Sequence, residues 1–204
     1  MQANTPRQYQ TGFIRRYLAL FLIILFGYLF EVCVIPYIRP FGISPNLLYV
    51  VIGIVTVAYG KLRAFWTGLI YGLLMEIMLP SVSFLNLAIY PITTLFCSFA
   101  FADKPLKTIE YERATNRKTK ELPAWLRTVL CTSLNTFIYE IVNVTYIYLG
   151  GSTLQAGHFI RAFAGVILTS LLCLILLFPI RRIIFGRRSD ILVLKSAPVV
   201  FRRN

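Results

Sequence analysis

The sequence predicts an all-α, polytopic membrane protein with six transmembrane helices and both termini in the cytoplasm. First, 57% of its 204 residues are hydrophobic and 15% aromatic, with a mean hydropathy of +0.70; an average soluble domain is roughly 45–50% apolar. Second, the apolar residues gather into six runs near the ~20 helical residues that cross a hydrocarbon core of ~30 Å. Third, the scarce charge is one-sided, with 21 Lys and Arg against 8 Asp and Glu. The basic residues lie at the ends of the apolar runs, where they set orientation, and form no single face or stripe, so a nucleic-acid partner is not expected.

Polar residues Met1 to Gln10 lead without a small-residue cleavage site into the first run, Ile14 to Ile35, which reads as an uncleaved helix. It stops at the Pro36 to Pro40 breaker. The second span, Ser44 to Tyr59, opens on Pro45 and ends at Gly60-Lys61. The third and fourth, Leu62 to Leu79 and Phe84 to Ala102, form a hairpin, because Pro80-Ser81-Val82-Ser83 holds only a turn. The fifth, Ala124 to Leu149, and sixth, His158 to Ile180, follow a charged cytoplasmic loop at 103–123. All but two of the Lys and Arg, Arg39 and Arg161, then fall on the side holding both termini, so that side is cytoplasmic. The domains are a cytoplasmic N-terminus at 1–13, a transmembrane domain at 14–180 and a basic cytoplasmic tail at 181–204. The 103–123 loop and the tail read as topology anchors or as docking segments for anionic lipids, worth on the order of 1 kcal/mol per basic residue.

Ionisable residues inside spans are expensive, roughly 2.5–3.5 kcal/mol at the bilayer centre on insertion scales, so each needs a neighbour. Four are expected there: Glu31, Glu76, Glu140 and Arg161. Counted from the cytoplasmic charges at ~1.5 Å per residue, all four rise into the outer half. They can form one outward polar cluster, in which Arg161 pairs with Glu140 or Glu31, or else a partner or ligand site. A proton path lacks polar continuation through the cytoplasmic half. Asn135, Tyr139 and Asn143 share one face of the fifth span and predict interhelical hydrogen bonds. Span hydroxyls such as Thr56, Thr67 and Thr169 are expected to bond back to their own helix. In the third span Gly68, Gly72 and Glu76 lie on one stripe, where small residues let a helix or a partner approach closely and shield the carboxylate.

These residues carry a resemblance. Ser44-Pro45-Asn46-Leu47-Leu48 at the start of the second span, and Gly68-Leu69-Ile70-Tyr71-Gly72-Leu73-Leu74-Met75-Glu76 followed by a span with Tyr90, resemble the MreD family of the bacterial rod-shape machinery. The likeness covers roughly residues 14 to 185. The chain departs from the family's usual Asp at Glu76, from a Gly in the turn before Phe84, and from a shorter loop than 103–123. The resemblance implies a non-enzymatic scaffold of the cell membrane. It would bind an MreC-like membrane protein and help couple MreB filaments to peptidoglycan synthases.

Two other classes compete. The S components of vitamin transporters are similar in span number and in a Gly-rich third span, but their docking Ala-x-x-x-Ala is absent, since Ala19 is followed by Ile23. An intramembrane enzyme needs a base, paired acids or a metal set. The single His, His158, reads as an interfacial polar residue. Cys33, Cys97, Cys131 and Cys173 occupy separate apolar stretches with no CxxC pair, so no metal, cofactor or disulfide framework is expected.

Overall fold

The apolar run Leu47–Val57 becomes the hub of the molecule. In the computed structural model, which describes residues 6–78, 84–102, 122–151, 153 and 155–185, six long helices follow one another. They are α1 (Pro6–Cys33), α2 (Leu47–Tyr59), α3 (Lys61–Met78), α4 (Leu85–Phe101), α5 (Ala124–Leu149) and α6 (Ala156–Phe185). No strand occurs among the described residues. The turn at 79–83, most of the 103–123 loop and the tail from 186 onward lie outside them.

Local chemistry explains most of the boundaries. Pro36 and Pro40 each enter a short 3-10 turn, Ile35–Tyr37 and Pro40–Gly42, because a proline accepts the first turn of a helix but not its interior. Ser44 precedes Pro45 and so cannot join the helix easily; α2 therefore starts at Leu47, three residues later than expected, with Asn46 as its N-cap. The Asn46 Oδ1 accepts a hydrogen bond from Tyr49 N at 3.3 Å. Gly60 closes α2 at φ 88°, a conformation that suits glycine. The sixth span begins earlier and runs further than its apolar core, and α1 extends back to Pro6.

Packing ranks the helices differently from hydropathy. Helix α2 touches each of the other five, and Leu47 through Val57 are all buried. α3 lies along α4, and α5 along α6. By contrast α1 and α6, the two helices long and apolar enough by themselves to cross a membrane, have only 11% and 22% of their apolar windows buried. Their outward residues are large and apolar: Phe21 is 61% exposed, and Ile175 and Phe178 are each 71% exposed.

Candidate functional site

At the end where α1 finishes and α2 begins, the outer end of the predicted topology, two carboxylates are spent on helix starts. The first four N–H groups of a helix have no intrahelical acceptor, and the aligned peptide dipoles place partial positive charge there. Glu31 on α1 accepts from Leu47 N at 2.7 Å. Glu76 on α3 reaches across to α4, where Oε1 accepts from Phe84 N at 2.6 Å and Oε2 from Asn86 N at 3.1 Å. Phe84, the N-cap of α4, is left-handed at φ 65° and contributes no side-chain cap, so the carboxylate supplies what that residue cannot.

The glycine stripe below Glu76 faces the same helix. A Cβ on Gly72 would stand 2.8 Å from Asn86 O and 3.2 Å from Leu87 Cα, and one on Gly68 would stand 3.0 Å from Tyr90 O. Gly68, Gly72 and Glu76 thus act together, two letting α4 close in and one tying down its start. Of the two roles expected for this stripe, the structure supplies internal packing.

Asn46 ties three helices together. Besides capping α2, it donates from its backbone N to Thr169 Oγ1 of α6 at 3.0 Å and from Nδ2 to Tyr90 OH of α4 at 3.3 Å. Tyr90 stacks on Tyr49 with ring centroids 4.7 Å apart, and Tyr139 of α5 tilts against both at 5.4 and 5.8 Å. The three spans' hydroxyls bond back as expected: Thr56 to Ile52 O, Thr67 to Arg63 O and Thr169 to Gly165 O, at 2.7, 2.8 and 2.8 Å.

The single outward cluster expected from the sequence is divided. Glu31 belongs to the α2 start, and Tyr139 to the aromatic group. Asn135 does not bond between helices; it is fully buried and donates to Cys131 O of its own helix at 3.0 Å, while its Oδ1 has no hydrogen-bond partner. Glu140, Asn143 and Arg161 do come together, with His158, around a cavity of about 380 Å³ roofed by Gly42, Ile43 and Ser44. Arg161 pairs with neither Glu140 nor Glu31. The reason is directional: side chains lean toward their helix N-terminus, and α5 and α6 run antiparallel. Glu140 therefore leans inward against Gly165, and Arg161 leans to the outer end. A second cavity of about 520 Å³, between the same helices, is lined by Phe137, Ile141, Phe159 and Phe163 and shares Glu140, Val144 and Ala162 with the first.

Several participants escaped sequence reasoning. Gly53, which lies against Thr132 and Thr128 of α5, and Gly27, whose Cβ would meet Tyr71 and Val51, let α2 approach its neighbours. Nothing in their spacing marks them. Asn46 had a signal, since Asn directly before an apolar run is an N-cap signature. A comparison with protein-family models, curated protein sequences and solved structures finds no match for this chain.

Proposed function

We propose that the chain is a six-span protein of the bacterial cell membrane and a non-enzymatic scaffold of the rod-shape machinery. In this reading it binds an MreC-like membrane protein and, through it, helps couple MreB filaments to peptidoglycan synthases. The observation that carries the membrane part is the outer surface of the bundle. Phe21 and Phe26 of α1, Trp66 of α3, Phe96 of α4, Phe137 of α5 and Phe163 of α6 are all exposed. A soluble helix bundle puts polar residues there, whereas hydrocarbon accepts aromatic and aliphatic surface on every side.

Helix length is consistent with this placement. α2 has 13 residues, about 20 Å at ~1.5 Å each, short of the ~30 Å hydrocarbon core. It is ringed by the other helices, and non-helical backbone at membrane depth is tolerated where protein surrounds it. The Ile43 to Asn46 segment, whose Asn46 N is hydrogen-bonded to Thr169, completes the crossing. The scaffold part rests on the likeness of the Ser44 to Leu48 and Gly68 to Glu76 segments to the MreD family, and on capped, tightly packed helices that offer a rigid surface. The basic segments at 103–123 and 181–204 would meet anionic lipids on the cytoplasmic side.

The outer cavity favours one second reading, a substrate-binding subunit of a small-molecule transporter. Affinity purification from native membranes, with crosslinking before extraction, separates the two. The scaffold reading expects a bitopic partner with a large extracytoplasmic part and cell-wall synthases. Recovery of nucleotide-hydrolysing transporter subunits in their place would overturn it.

A further inference from the structure

The two cavities between α5 and α6 form one amphipathic site. The larger is an apolar groove open to the surface of the bundle, lined by Phe137, Ile141, Phe159 and Phe163, each 48–66% exposed. The smaller carries polar groups of both signs, Glu140, Asn143, His158 and Arg161. Glu140, Val144 and Ala162 line both, so the two spaces meet at the carboxylate. Together they fall in the several-hundred-Å³ range of small-molecule sites, which is ~300–1,000 Å³. Such sites pair an apolar body with a few convergent polar groups.

The polar end is specific about what it accepts. His158 Nδ1 accepts a hydrogen bond from Gln155 N at 3.1 Å, so in the neutral ring Nε2 carries the hydrogen and is a donor. His158 precedes Arg161 by three residues and shares its helix face. The outermost groups are therefore a guanidinium and an imidazole N–H, which together suit a phosphate. Glu140 lies one step deeper, at the mouth of the apolar space, half-buried and open to accept a hydrogen bond from a ligand. From chain to head, the order of complementary groups is alkyl, hydroxyl, phosphate.

We infer that this site binds a single-chain phosphate amphiphile of the lysophospholipid class, its chain between α5 and α6, its glycerol hydroxyl on Glu140 and its phosphate on Arg161 and His158. The inference rests on the bilayer placement proposed above and is independent of the scaffold assignment.

The test uses the full-length chain purified in dodecyl maltoside, with radiolabelled oleoyl lysophosphatidic acid as probe. Binding is expected to saturate at one probe per chain. Oleyl alcohol, which lacks the phosphate, and glycerol phosphate, which lacks the chain, should each compete about tenfold or more weakly, a loss of about 1.4 kcal/mol apiece. The analogue without the glycerol hydroxyl should bind about fifteenfold more weakly to the wild type, the low end for one hydrogen bond to a charged group. That difference should vanish in Glu140→Leu. Arg161→Gln should weaken the probe about tenfold, in line with a lost charge-assisted contact. Non-saturable uptake, or equal competition by oleyl alcohol in the wild type, would overturn the site without reference to any variant's folding. A chain that stays soluble without detergent would remove the bilayer placement as well. A detergent-requiring chain that ignores the probe would remove this inference alone.

Discussion

At the scale of single residues, the carboxylates of Glu31 and Glu76 serve the structure, each at the start of a helix. Glu76 holds two N–H groups at the start of α4, one of them exposed and the other part-buried. Replacing it with Ala should lower stability by about 0.5–2 kcal/mol, the cost of losing a helix cap; Gln, which keeps one acceptor oxygen, should cost less. Thermal unfolding of purified variants in detergent measures both, and an unchanged midpoint for Glu76→Ala would remove the capping role. The sequence showed that Glu76 needed a neighbour, because its depth follows from counting residues. Which neighbour it found depended on the left-handed backbone of Phe84, which no composition signals.

At the scale of elements, the α3–α4 hairpin is a coupled unit. Gly72 faces Asn86 O while Glu76 accepts from Asn86 N, so both act on the backbone of one residue of α4. A leucine at Gly72 meets backbone, which cannot swing aside as a flexible side chain would. Gly72→Leu should cost about 1–3 kcal/mol by overpacking, and it should also pull Asn86 away from the carboxylate. The double variant Gly72→Leu with Glu76→Ala should therefore lose less than the sum of the two single losses. Additive losses in a double-mutant cycle would show that the two contacts are independent. The hairpin itself, and the stripe that builds it, were legible from small residues at helical spacing. The matching approach of α2 to α5 at Gly53 was not, because one glycine in an apolar run has no pattern.

At the scale of the whole molecule, the proposed topology puts Arg39 outside and Lys61 inside, at opposite ends of α2. Both side chains are exposed. In a chain whose native cysteines are replaced by serine, Arg39→Cys should react with a membrane-impermeant maleimide in intact cells. Lys61→Cys should react only after permeabilisation. Reaction of both in intact cells, or the reverse order, would sink the orientation. The proposed bilayer placement also accounts for the exposed aromatic surface: in hydrocarbon, helices would associate through close packing and hydrogen bonds, which here gather at Gly53, Gly72 and Asn46.

Hydropathy and charge are properties that accumulate along the chain. The number of helices among the described residues and their approximate limits could therefore be read from order alone. Contacts between helices obey a different rule. One residue turns a side chain by about 100° around its helix, so rotation, tilt and crossing point decide every meeting of two spans. Only the tertiary structure could show that the short α2, not the strongly apolar α1 or α6, is the centre. Only it could send Glu31 and Glu76 to helix starts and lean Glu140 and Arg161 apart across a shared cavity.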